Sequence, residues 1–149
     1  VSSTKIRNAL GEGNVKLANR MLGYEYSITG TVIDGNKLGR TIGFKTANID
    51  VEDHFKLIAA GGVYACKVEI DGEMYYGMGN IGKRPTVGSD QVVTEVHIFD
   101  FDYEIYGKEI TLFFIDRIRD EKKFEDLDQL REQLYRDRDR ARKVLGITR

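Results

Sequence analysis

The sequence predicts a mainly β fold, a small antiparallel barrel of about six short strands with a helical segment before it and a long C-terminal α-helix closing or flanking it. Three observations carry this. Runs of β-branched and apolar residues alternate with polar ones between Tyr26 and Ile115, the period of strands with one covered face. Turn chemistry punctuates those runs at Asp34-Gly35-Asn36, Asp71-Gly72 and Tyr106-Gly107. Strands do not alternate with helices, which weighs against a parallel-sheet nucleotide fold.

In chain order, residues 1–23 are expected to be helical. Ser2, Ser3 and Thr4 offer caps ahead of Ile6 to Leu10, and Gly11-Glu12-Gly13-Asn14 breaks that helix. A second helix starts after Asn14, with Leu17, Ala18, Met21 and Leu22 on one face and Gly23 at its C-terminal cap. Tyr26 to Ile33 is the first strand; a glycine loop and Ile49 to His54 follow. Along Val63 to Ile70, Tyr64, Cys66, Val68 and Ile70 share one parity, so Cys66 belongs to the core, and Asp71-Gly72 turns the chain into Glu73 to Met78. A second glycine-rich loop is expected from Gly79 to Ser89, holding Lys83, Arg84 and the sole proline, Pro85. In the strand Val92 to Phe101, Thr94, Val96 and Ile98 lie on one side, with Glu95, His97, Phe99 and Phe101 on the other. Glu109 to Ile115 is apolar at both parities and is expected to be covered on both faces. In the last helix Asp126 and Gln129 form a capping-box pattern, while Leu127, Leu130, Leu134, Ala141 and Val144 or Leu145 trace an apolar stripe. Arg136 to Arg140 reads as a solvated, charge-laced face.

The chain of 149 residues is one ordinary domain. Lys and Arg number 23 against 24 for Asp and Glu, a balance that argues against nucleic acid as partner and for small molecules. Cys66, the single cysteine, excludes an intrachain disulfide or a multi-cysteine zinc cage and suits a reducing, cytoplasmic setting. No apolar run reaches the ~18 residues of a membrane span, and no charged-then-apolar leader pattern opens the sequence.

Chemistry concentrates in Gly39-Arg40-Thr41-Ile42-Gly43-Phe44-Lys45-Thr46-Ala47-Asn48. Glycines let successive backbone N–H groups converge on phosphate oxygens. Thr46 and Asn48, one residue apart in an extended segment, project to the same side and can share a divalent cation or a phosphate. Taken alone, so short a pattern is more simply a glycine-punctuated turn. Glu95 is either a solvent-facing strand glutamate or an acid placed among aromatic residues. His54 and His97 read as structural histidines, and no spacing makes a zinc site.

Taken together, Gly39 to Asn48, Gly77-Met78-Gly79-Asn80-Ile81-Gly82, Thr94-Glu95-Val96-His97-Ile98-Phe99, Ile105-Tyr106-Gly107 and Ile118 to Phe124 resemble, in order and spacing, riboflavin kinase, specifically the C-terminal kinase module of the bacterial bifunctional riboflavin kinase/FMN adenylyltransferase (FAD synthetase). The resemblance runs from Tyr24 to Leu145. It implies a six-stranded antiparallel Greek-key barrel with a C-terminal helix, kinase domain 24–149, and transfer of the ATP γ-phosphate to the 5′-hydroxyl of riboflavin, giving FMN and ADP. By the same resemblance ATP and Mg²⁺ are the implied cofactors. Gly39, Arg40, Gly43, Thr46, Asn48, Asn80 and Gly82 match the nucleotide and phosphate side, with Thr46 and Asn48 also on the metal. Glu95 matches the catalytic glutamate, and Arg119 and Phe124 fall in the flavin-contacting segment. Asn80 to Pro85 matches a nucleotide-side loop.

Ser2-Ser3-Thr4-Lys5-Ile6-Arg7 is similar to the motif that closes the adenylyltransferase module, so residues 1–23 are expected to be its helical remnant, with that module missing and its activity absent. One departure stands out: where the family ordinarily has proline, this chain has Lys45, which leaves the loop less preorganised and adds a flexible cation. The alternative from another class is a catalytically inactive flavin- or nucleotide-binding barrel with a regulatory role, against which Glu95 retained beside Thr46 and Asn48 weighs. An oligonucleotide-binding barrel is disfavoured by the interspersed acids.

Overall fold

The computed structural model describes residues 3–33, 41–51, 59–86 and 89–147, and only the backbone of 83–86 and 89–91. The elements are α1 (Ser3–Gly11), α2 (Val15–Leu22), β1 (Ser27–Ile33), β2 (Ala47–Val51), β3 (Gly62–Ile70), β4 (Glu73–Thr86), β5 (Ser89–Ile98), β6 (Glu109–Arg119) and α3 (Leu127–Leu145). The strands close into a barrel in the order β1-β2-β5-β4-β3-β6, every pair antiparallel. β3, β4 and β5 form a meander and β6 returns to lie beside β3, which is the Greek-key arrangement.

Period-two alternation fills the barrel. Ile28, Val32, Ile49, Val51, Tyr64, Cys66, Val68, Ile81, Val96, Ile98, Ile110, Leu112 and Phe114 make one buried cluster. Phe114 packs edge-on against Tyr64 at 5.1 Å between ring centroids and tilted against Tyr26 at 5.6 Å. In that setting burial pushes the Cys66 thiol up to about 12, so it is a small core hydrophobe and not a nucleophile, as its parity predicts. Leu10, Val15 and Ala18 of the helical pair join the same cluster. The Asn19 side chain ties that pair to the barrel, donating to the Phe114 carbonyl at 2.8 Å and accepting from the Tyr26 amide at 2.7 Å.

A second cluster lies outside the barrel. Phe44, Val63, Ala65, Met78, Phe99, Ile118 and Ala141 are buried together, with Leu134 and Leu145 of α3 packed on them. α3 therefore covers the outer face of β3, β4 and β6. Asp126 caps it, accepting from the Gln129 amide at 2.8 Å, and Gly146 ends it in the left-handed region. The bond from the Gln129 amide is half of the predicted capping box; the Gln129 carboxamide accepts from the Glu125 amide, at 3.4 Å, one residue ahead of the cap. No helix among the described residues is long and apolar enough to cross a membrane.

Several sequence expectations need correction. β4 continues unbroken to Thr86, so the stretch from Gly79 is strand and not loop. Its glycines serve close approach: a Cβ on Gly79 would lie 3.0 Å from Cys66 Sγ, and one on Gly82 only 2.9 Å from Glu121 Oε1. β5 stops at Ile98, and Asp100, with φ 54°, turns the chain before Phe101. β6 is fully buried on one side alone, because its Thr111, Phe113 and Ile115 row meets solvent in part. Leu127, expected in the apolar stripe, is exposed. Within the charge-laced run Asp137 is 2% exposed, since its carboxylate is taken up by an arginine from β6. The Asp34-Gly35-Asn36 turn, Ser2 and His54 lie outside the described residues.

Candidate active site

Strand register brings the polar candidates together. Glu95 of β5 stands opposite Asn48 of β2 on one side and opposite Asn80 of β4 on the other. Directly paired residues share a face, so the three side chains form one row across the outside of the barrel. Thr46, one residue before β2, donates its Oγ1 hydrogen to Glu95 Oε2 at 3.1 Å. Glu95 is 8% exposed. Beside it, Asn48 Oδ1 and Asn80 Oδ1 are buried with no hydrogen-bond partner among the described residues. An unmet buried acceptor costs about 1–3 kcal/mol, so two of them flanking a carboxylate mark a place built to receive donors or a cation.

From this row a cleft of about 170 Å³ runs under the segment that follows β6. Phe44, Val63, Met78, Phe124, Leu130 and Leu134 supply its apolar wall, while Thr46, Asn80, Glu95, His97, Arg119, Glu121 and Lys122 supply polar groups. It is smaller than the roughly 300 Å³ at which drug-sized ligands become enclosed. It therefore grips one part of a ligand. Asn48 stands behind the lining, paired to Glu95.

Arg119, the last residue of β6, is fixed from several directions. Its Nε donates to both carboxylate oxygens of Asp137 at 2.9 Å, its Nη1 donates to the Asp120 carbonyl at 3.0 Å, and its guanidinium lies 5.6 Å from the Phe124 ring centroid. Gln133 also donates to Asp137, at 2.9 Å. Lys122 approaches the same Phe124 ring at 5.7 Å.

At the other end, the loop ahead of β2 is pinned by Phe44, 2% exposed, whose ring lies 5.1 Å from that of His97 and 5.2 Å from that of Tyr135. Gly43 precedes it at φ 87°, a conformation that favours glycine. His97 Nδ1 lies 2.7 Å from the Lys45 carbonyl. Burial pushes His97 below its ordinary value, opposed by that carbonyl and reinforced by Arg138 and Arg142.

Of the residues singled out in the sequence, Thr46, Asn80, Glu95, Arg119 and Phe124 line one cleft, with Asn48 paired behind Glu95. Gly82 backs Glu121, a lining residue. Gly39 and Arg40 lie outside the described residues. Sequence reasoning missed Phe44, Glu121 and Asp137. Asp137 carried a readable signal, since it continues the helical spacing of Leu130, Leu134 and Ala141 and thus sits on the covered stripe. Phe44 and Glu121 carried none, their burial and placement being tertiary.

The fit to a divalent cation can be judged from the donor set. Among the described residues no group of three or more His, Cys, Asp or Glu could hold a metal alone. The hard oxygens of Thr46, Asn48, Asn80 and Glu95 suit Mg²⁺, which characteristically takes one or two protein oxygens and completes its shell with water and phosphate.

The family model and the curated relatives of this chain name one family. The family model Flavokinase: Riboflavin kinase matches residues 22–145. The bifunctional riboflavin kinase/FMN adenylyltransferase of Bacillus subtilis is 45% identical over 144 residues, covering 95% of this chain and 45% of that protein. A solved structure described as a macrolide-efflux protein from Streptococcus pneumoniae superposes with a TM-score of 0.89 at 42% identity, over 95% of this chain and 46% of the other. The riboflavin kinase of Trypanosoma brucei, at 22% identity and a TM-score of 0.57 over 80% of this chain and 79% of its own, shares the fold. The chain thus spans under half the length of the bacterial relative it matches. With a family model matching residues 22–145 and a bifunctional relative 45% identical over 95% of it, this chain belongs to the riboflavin kinase family.

Proposed function

We propose that this chain is a working riboflavin kinase module that transfers the γ-phosphoryl group of ATP to the riboflavin 5′-hydroxyl, releasing FMN and ADP. The observation that carries the reading is the meeting of Thr46, Asn48, Asn80 and Glu95 in one row, with two buried amide oxygens unmet beside a carboxylate. A barrel that only bound flavin would have no use for that acid at the mouth of the cleft.

In this reading the apolar wall with Phe124 takes the flavin ring and the polar row takes the ribityl end. Glu95 accepts the proton of the 5′-hydroxyl as its oxygen attacks the γ-phosphorus, while the bond from that phosphorus to the bridging oxygen of ADP breaks. Thr46 orients Glu95 through their hydrogen bond and, with Asn48, would hold Mg²⁺, with Asn80 on the nucleotide side. When bound, Mg²⁺ neutralises charge on the phosphate oxygens. Arg119, held by Asp137, stacks on Phe124 and presents a fixed cation to the flavin side. Gly39, Arg40, Gly43 and Gly82 remain assigned to the phosphate side, the first two from resemblance alone.

The same reading makes residues 1–23 the end of an adenylyltransferase module whose remainder supplies FAD synthesis in the longer protein. The bifunctional relatives and the partial coverage support it. A cytoplasmic setting suits ATP as the phosphoryl donor and a single, buried cysteine.

Incubation with riboflavin, ATP and Mg²⁺, followed by chromatography, should yield FMN. With FMN and ATP the same chain should yield no FAD. Absence of FMN would contradict the kinase reading and leave the inactive binding barrel.

A further inference from the structure

We propose that His97 is a positioning residue that sets Thr46 against Glu95, by donating a hydrogen bond from Nδ1 to the Lys45 carbonyl. The partner fixes the proton: a carbonyl oxygen only accepts, so at 2.7 Å Nδ1 carries the hydrogen. The bond stands at a particular place in the ladder. β2 pairs with β5 as Ile49 with Thr94, Asn48 with Glu95 and Ala47 with Val96. One more step would set Thr46 opposite His97, but the register ends at Ala47. There the His97 side chain takes over, holding the chain one residue beyond Thr46.

The consequence is a clamp on both sides of one residue. Ala47 is held by the ladder, Lys45 by the imidazole, and Phe44 by burial between the His97 and Tyr135 rings, with the Arg138 guanidinium 5.6 Å from its centroid. Between them Thr46 stands just beyond the end of the ladder, and its hydroxyl reaches Glu95 Oε2 at 3.1 Å. A threonine hydroxyl on a free loop would sample several rotamers and pay their entropy on each binding event. Fixed at both neighbours, it is preorganised before nucleotide arrives. His97 borders the site cleft on one side and the hollow formed by Lys45, Phe101, Tyr103 and Ile105 on the other, so its ring is also the partition between them.

This inference rests on the kinase reading for its consequence and not for its geometry, and the experiment separates the two. In His97→Asn the side-chain amide nitrogen falls near the Nδ1 position, whereas in His97→Gln it falls near Nε2, away from the Lys45 carbonyl. His97→Gln should raise KM for Mg-ATP and lower kcat, together about tenfold or more in kcat/KM. His97→Asn should recover most of the loss. Hydrogen exchange of the amides from Phe44 to Ala47 should quicken about tenfold in His97→Gln and stay near the parent rate in His97→Asn. Thermal unfolding certifies that each variant is folded, and His97→Phe, an aromatic without a donor, replaces any Gln variant that is not. Equal kinetics and equal exchange in the Asn and Gln variants would overturn the proposal, as would parent-like exchange in His97→Gln. A parent chain that makes no FMN would contradict the kinase reading, while the exchange measurement would still decide whether His97 holds Thr46.

Discussion

The two faces of the same strands do different work. On the inside, Ile49, Ile81 and Val96 belong to one apolar cluster, interrupted by the buried hydroxyls of Thr94 and Tyr26, and its main business is packing. On the outside, the residues directly next to them in sequence, Asn48, Asn80 and Glu95, form a polar row beside the apolar patch that α3 covers. The inner face tolerates little change in volume because interiors are close-packed. The outer face carries unmet acceptors and a carboxylate, which cost stability and are kept where a ligand can reach them. Alternation of side chains lets one ladder serve both ends without compromise.

The sharpest way to break this contrast is Glu95→Gln, which keeps shape and most packing. Turnover to FMN should fall roughly 10²–10⁴-fold, the range for a lost general base, with ATP affinity preserved; undiminished turnover would return Glu95 to the role of an ordinary strand residue. The inner counterpart is Phe114→Ala. Urea unfolding should show a loss of about 3–5 kcal/mol from the emptied volume between Tyr26 and Tyr64. By comparison Phe124→Ala on the outer wall should change stability by less than about 1 kcal/mol and weaken riboflavin binding, read by quenching of flavin fluorescence. Similar stability losses for the two phenylalanines would erase the distinction between the faces.

Asp137→Ala tests whether a charge pair on the outer face behaves like the core. Removing the carboxylate leaves the Arg119 Nε without its acceptor, at a cost of about 1.5–3 kcal/mol, and should weaken riboflavin binding with little effect on ATP. Unchanged flavin affinity would detach Arg119 from the site.

The smallest effect is on pH dependence. Burial, with Arg138 and Arg142 of α3, lowers the His97 pKa, the Lys45 carbonyl opposes them, and Glu95 shares the cleft. A histidine with a lowered folded pKa binds fewer protons folded than unfolded, so its contribution is present above about pH 6.5 and lost as pH falls through and below that value. Urea midpoints between about pH 7.5 and 5.5 should therefore drop more for the parent than for His97→Phe. Equal drops would show that His97 carries no such linkage.

The barrel was legible because its strands announce themselves twice, by parity and by turns. Tyr64, Cys66, Val68 and Ile70 fill the interior as their alternation requires, and Asp71-Gly72 makes the expected hairpin, with φ values of 51° and 80°. Gly79 misled, because a glycine that allows Cys66 to pack closely looks the same in sequence as a glycine that bends a loop. The row of Thr46, Asn48, Asn80 and Glu95 was only half legible. Residue types and the family resemblance pointed to Thr46, Asn48, Asn80 and Glu95, but the alignment of three strands that sets Asn48 and Asn80 on either side of Glu95 depends on register, which no local pattern records. Arg136 to Arg140 looked uniformly solvated because alternating charges mask helical period; a carboxylate in step with Leu134 and Ala141 belonged to the covered side.

The central claim is that chemistry sits on the barrel's outer face at Glu95, and a crystal structure of the chain with riboflavin, ADP and Mg²⁺ tests it most directly. The account predicts the ribityl 5′-oxygen within hydrogen-bond reach of the Glu95 carboxylate, about 2.6–3.2 Å, with the flavin ring along Phe124. A flavin bound on another wall, with Glu95 out of reach of its 5′-oxygen, would contradict it.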